Sequence, residues 1–218
     1  MSLNLIGSCI VVKSLKPWGF ANCKYRDFNA AAIDTYLGED GKLEGTSFLR
    51  ADNPFKEDFI NAKNILEIGC GVGRNVPYIL ENTKANYFGI EPNVHMSKFF
   101  YVQGKGKEYK EEWLKKDRIY LTDDFDSFIQ MQSFDVVIST YVFQHIGYRT
   151  PEHIMNVTDI TQNIKKQCYP GTIWFLIEHE TEEFWISRWL EENFFTPTVR
   201  KGIDTSRGAH DMIIIRQN

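Results

Sequence analysis

From Asn64 onward, short uninterrupted apolar runs alternate with stretches of helical spacing. The apolar runs cover residues 64–68, 87–90, 118–121, 134–139 and 172–177. Each suits a strand and is too short for an ordinary helix. Between them, residues 74–81, 94–102, 151–168 and 182–193 read as helices. Pro77 falls in the first turn of the first of these, where a missing N–H costs least. Ile154, Val157, Ile160 and Ile164 form one apolar stripe in the third. Strands with no polar alternation are buried on both faces, which predicts a mostly parallel sheet with helices on either side. Two more strands are expected at 198–202 and 211–216. No helix separates them, and so short a link permits only an antiparallel hairpin. The expectation is an α/β fold: a doubly wound, mostly parallel seven-stranded sheet with an antiparallel C-terminal hairpin.

The first 60 residues are mixed: a β-branched stretch at 9–12, Pro17-Trp18-Gly19, an Ala-rich helical stretch near 28–37, then glycine-rich turns. They read as an N-terminal cap or lid (1–60) on a core domain (61–218). A chain of 218 residues can bury such a core without staples. The formal net charge of −4 gives no general attraction to nucleic acid. The basic pairs near Lys105 and Lys115 sit among glutamates, as on a solvated helix face. Cys9, Cys23, Cys70 and Cys168 are scattered without a C-x-x-C, against zinc or a disulfide framework. A reducing, cytoplasmic compartment is expected. The N-terminus has no basic region before its broken apolar run, so neither a signal peptide nor a membrane span is supported.

The chemistry concentrates in Glu67-Ile68-Gly69-Cys70-Gly71-Val72-Gly73-Arg74, between the first core strand and its helix. A ligand docked on the strand ends needs close backbone approach and a sharp turn, and glycine permits both. Glu91 closes the second strand about 20 residues later, where a carboxylate can accept both hydroxyls of a ribose. A dinucleotide enzyme shares these two features. However, its G-x-G-x-x-G/A pattern is not met, because Arg74 takes the last position and the third glycine comes early. Glu67 would repel a pyrophosphate but suits a ligand with a cationic amino acid end. That describes S-adenosylmethionine (SAM), which carries an ammonium, a sulfonium and a ribose, and no phosphate.

ILEIGCGVGR at 65–74 resembles the first motif of class I SAM-dependent methyltransferases, and FGIEPNVHM resembles their second. The likeness continues through LTDD at 121–124, FDVVISTYVFQHI at 134–146 and the Pro170-Gly171 turn. It covers about residues 60–216. The N-terminal 60 residues match no pattern of the family, and Pro170-Gly171-Thr172 lacks a second glycine often found there.

The resemblance implies SAM as cofactor and S-adenosylhomocysteine as product. It places Glu67 and the backbone at Gly69, Cys70, Gly71 and Gly73 around the methionine part. Glu91, followed by Pro92, takes the ribose. Asp123 or Asp124 accepts from the adenine amino group, with Phe125 nearby. Ser139, Thr140 and Tyr141 line the sulfonium side, and Arg50 clamps the carboxylate. His145 reads either as a general base or as a loop-fixing residue, since methyl transfer often needs no strong base. Cys70 reads as a small buried filler rather than a nucleophile. His179-Glu180 alone do not make a metal site. The acidic balance favours a small-molecule acceptor over nucleic acid. An NAD(P)-dependent oxidoreductase and a non-catalytic SAM-binding module stand as alternatives.

Overall fold

A computed structural model describes residues 2–6, 9–13, 53–71, 73, 75–91, 118–122, 133–140, 142, 151–179, 199–205 and 208–217. The described strands are β1 (Ser2–Ile6), β2 (Cys9–Lys13), β3 (Asn64–Ile68), β4 (Asn86–Ile90), β5 (Ile119–Thr122), β6 (Phe134–Thr140), β7 (Cys168–His179), β8 (Val199–Thr205) and β9 (Gly208–Arg216). The described helices are α1 (Lys56–Ile60), α2 (Val76–Asn82) and α3 (Pro151–Lys166).

All nine strands join one sheet in the order β1-β2-β5-β4-β3-β6-β7-β9-β8. From β2 to β7 every pairing is parallel. Both edges are antiparallel: β1 against β2, β9 against β7, and β8 against β9. The C-terminal hairpin is therefore as expected, but the seven-strand count is corrected to nine. The two extra strands come from the N-terminal segment and lie beside β5. Backbone hydrogen bonds alone can add strands beside β5, and which strand they pair with is not written in a five-residue run.

The expected helices at 94–102 and 182–193 lie outside the described residues. Element boundaries shift slightly elsewhere. The first core helix starts at Val76, not Arg74, with Pro77 at the second helical position. Pro170-Gly171 lies within β7 rather than before it. Register slips there against β6, and Gly171 takes φ +96°.

Apolar residues fill both faces, as continuous runs require. On one face Ile65, Tyr87, Ile138, Phe175 and Ile214 meet Phe59 of α1 and Val76, Ile79 and Leu80 of α2 in one buried cluster. Phe59 stacks edge-on against Phe175 at 5.9 Å. On the other face Leu66, Phe88, Val137, Trp174 and Ile215 are buried as well. Phe88 there stacks on Tyr120 at 4.8 Å. In α3, Ile160 and Ile164 are buried while Asp159, Gln162 and Lys166 face solvent. That is the one-sided stripe of an amphipathic helix.

The strand order reverses at β3. The chain runs outward from β3 to β4 to β5, then returns to place β6 on β3's other side. Such a reversal leaves a crevice outside the carboxyl ends of the strands, where α/β sheets bind their ligands. The glycine loop leaves β3 at this point.

Candidate donor-binding site

The loop after β3 is built on left-handed backbone. Gly69, Gly71 and Gly73 have φ of +66°, +58° and +83°. Residues with side chains avoid this region at a cost of about 1–2 kcal/mol each. Gly69 has a second reason to lack a Cβ, which would strike the side chain of Val142, beyond β6. The loop is pinned to β4: Cys70 N–H donates to the Ile90 carbonyl at 3.0 Å. Gly71 N–H donates to Glu91 Oε2 at 2.9 Å. Glu91 N–H in turn donates to the carbonyl of Thr122, the last residue of β5, at 2.9 Å. One glycine and one carboxylate are thus locked together at the ends of adjacent strands.

Glu67 is 2 % exposed, and both its oxygens accept hydrogen bonds from neighbours. Asn75 Nδ2 donates to Oε1 at 2.6 Å, and the Tyr87 hydroxyl donates to Oε2 at 2.5 Å. Asn75 Nδ2 also donates to Thr140 Oγ1 at 3.2 Å. Charge-assisted bonds this short hold a carboxylate in one orientation. Strand alternation puts Glu67, Tyr87 and Thr140 on the face that α2 covers, and Ser139 on the opposite face. Ser139, buried completely, has no hydrogen-bond partner for its hydroxyl among the described residues.

Cys70 lies inside this arrangement. Burial pushes its thiol well above the ordinary value, and the charges of Glu67 and Glu91 push the same way. It stays protonated at neutral pH, which fits a packing residue and not a nucleophile. Its Sγ would meet a Cβ at Gly89 at 2.8 Å, so the strand glycine makes room for the loop thiol.

Of the residues expected from sequence, the structure brings Glu67, Gly69, Cys70, Gly71, Gly73, Glu91 and Thr140 together around the ends of β3, β4 and β6. Ser139 adjoins them from the other face. Arg50, Pro92, Asp123, Asp124, Phe125, Tyr141 and His145 lie outside the described residues. Thr122, which precedes Asp123, sits beside Glu91. Two members of the network escaped the sequence reading. Asn75 reads in sequence only as the polar residue before a helix. Tyr87 reads only as part of an apolar strand, and nothing local marks its hydroxyl as a partner for Glu67. Among the described residues no cluster of histidine, cysteine and carboxylate could hold a metal ion. No helix there is long and apolar enough to cross a membrane.

Residues 66–173 match the family model described as a methyltransferase domain. That span begins in β3 and contains the glycine loop, Glu91 and β6. The matched span, with the glycine loop and Glu91 inside it, supports a class I SAM-dependent methyltransferase. Solved structures of methyltransferases share its fold. The N-methyltransferase NodS from Bradyrhizobium japonicum WM9, in complex with S-adenosylhomocysteine, superposes with a TM-score of 0.55 at 14% identity, over 86% of this chain and 97% of that one. Magnesium protoporphyrin IX methyltransferase from Synechocystis PCC 6803 with bound SAM gives 0.53 at 14% identity, over 87% and 78%. The 1,6-didemethyltoxoflavin-N1-methyltransferase of Burkholderia thailandensis gives 0.54 at 13% identity, over 75% and 74%. No curated protein matches the chain.

Proposed function

We propose that this methyltransferase binds SAM across the carboxyl ends of β3, β4 and β6 and transfers its methyl group to an O, N or C atom of a small-molecule acceptor. The observation that carries the reading is the clasp of the left-handed glycine loop on Glu91, through Gly71 N–H at 2.9 Å. The residues present fit the donor. Left-handed glycines keep side chains off the strand ends, and Glu67 and Glu91 supply negative charge near a ligand that is cationic at one end.

When bound, SAM supplies the methyl group and, as a sulfonium, its own leaving group. The chain's task is then alignment and exclusion of water. Glu91 takes the ribose hydroxyls, and its orientation is fixed by Gly71. Glu67 keeps the methionine end electrostatically negative. Asp123 or Asp124, directly after β5, accepts from the adenine amino group beside Phe125. Tyr141 follows Thr140 towards the transferring methyl, and Arg50 clamps the carboxylate. His145 takes a proton only from an acceptor that must lose one, such as an alcohol or ammonium. The part of residues 1–60 outside β1, β2 and α1 contributes the cap over the acceptor.

A small acceptor is supported by the net charge of −4 and by fold relatives named for a porphyrin and a toxoflavin precursor. Calorimetry with SAM, S-adenosylhomocysteine and NADH tests the reading. Binding of the first two and not the third is expected. Binding of NADH alone would return the chain to the oxidoreductase alternative. A screen of metabolite pools for S-adenosylhomocysteine release then separates an enzyme from a non-catalytic binding module. Full turnover of His145→Ala on the acceptor found would remove the general-base role.

A further inference from the structure

Asn75 is fully buried, yet among the described residues its carbonyl Oδ1 has no hydrogen-bond partner. The amide cannot be turned round to cure this. Its nitrogen serves two acceptors, Glu67 Oε1 at 2.6 Å and Thr140 Oγ1 at 3.2 Å. Reversal would set the amide oxygen against the carboxylate oxygen, a repulsion in place of a charge-assisted bond. The side chain makes no helix-capping bond either. Among the described residues nothing donates to Oδ1, so an asparagine held this way is left with an acceptor open to a donor from outside them. Leaving a buried acceptor unmet is costly, so such atoms call for a functional explanation. Asn75 stands directly after the glycine loop, against the one carboxylate the loop begins with.

We infer that Asn75 belongs to the donor site in two ways, which rests on the function proposed above. Its amide nitrogen positions Glu67 and Thr140. Its carbonyl accepts an N–H from the ammonium of the donor's amino acid end, directly or through one buried water. The ammonium offers donors only, which matches an orphaned acceptor beside a carboxylate. The ribose and the adenine ring are assigned elsewhere, to Glu91 and to the residues after β5.

Calorimetry tests this on the full chain with two ligands: S-adenosylhomocysteine, and its analogue with hydrogen in place of the amino group. Asn75→Ala should weaken S-adenosylhomocysteine by about tenfold or more, the effect expected of a bond to a charged group. The same substitution should change affinity for the analogue by less than about threefold, because the bond is already absent there. Asn75→Ser, a residue that also suits the start of a helix, serves if the alanine variant does not fold, and should show the same split. Equal weakening of both ligands, or wild-type affinity for both in either variant, overturns the inference. If the unsubstituted protein binds neither ligand, the donor-site reading fails first and this inference falls with it.

Discussion

The two ends of the central strands are both polar, but they are finished differently. At the amino end several polar side chains are paired within the fold. Asp135 Oδ2 accepts from the backbone N–H of Lys63 and of Asn64, each at 2.8 Å. Asn64 donates to the Ser133 carbonyl, and Asn86 donates to Asn64. Arg118 donates to the carbonyls of Leu80, Thr83 and Ala85, which closes the end of α2. At the carboxyl end the backbone is left-handed at three glycines, and the buried acceptors Asn75 Oδ1 and Ser139 Oγ are unmet. One end is closed by its own residues. At the other, two buried oxygens find no donor among the described residues. The contrast is the one expected if the carboxyl end is the proposed binding site, since such sites hold strain that the rest of the fold supports.

Exchanging the two ends by mutation should break this contrast if it is wrong. The largest effect is expected at Glu91→Ala, which should weaken SAM by on the order of a hundredfold, as loss of a charged acceptor of two hydroxyls implies. Calorimetry reads it, and unchanged affinity would remove the ribose assignment. Gly69→Ala comes next. Its Cβ meets Val142 and its backbone is left-handed, so thermal or denaturant melts should show a loss of about 2 kcal/mol or more. Asp135→Ala should cost about 1 kcal/mol of stability, since it removes two bonds from backbone donors that lie exposed or part-buried and can turn to water. SAM affinity should nevertheless stay within about twofold, because the site lies at the other end of the sheet. A parallel loss of binding would mean that the ends are coupled.

The smallest effects concern the two thiols. Burial raises Cys70 well above its ordinary value and raises Cys168 to about 12. Neither forms thiolate at pH 8, so iodoacetamide should leave both unmodified in the folded protein and label them on unfolding, as mass spectrometry would reveal. The unfolded thiol ionises near 9 and the folded Cys168 near 12. The unfolded state therefore loses its proton first, and stability should decline as pH rises through 9 towards 12. Cys168→Ser should flatten that decline in denaturant melts run at pH 8 and pH 10.

Much of this protein was legible in the sequence, for a physical reason. The strand–helix alternation, the C-terminal hairpin, the glycine loop and Glu91 are encoded by local pattern: burial on both faces, link length, and positions where only glycine tolerates the backbone. Those determinants act over a few residues, so a reader of the chain can find them. The two N-terminal strands were not legible as part of the sheet, because edge pairing uses backbone groups that every residue carries. Nor were the partners of Glu67. Tyr87 and Asn75 are 20 and 8 positions away from it, and only the stacking of β4 and α2 on β3 brings their donors to its two oxygens. The sequence by itself determined which residues could bear the chemistry. Which of their hydrogen bonds are already spent within the fold was settled by packing alone, because the partners of Glu67 and the unmet oxygens of Asn75 and Ser139 depend on contacts between elements distant in the chain.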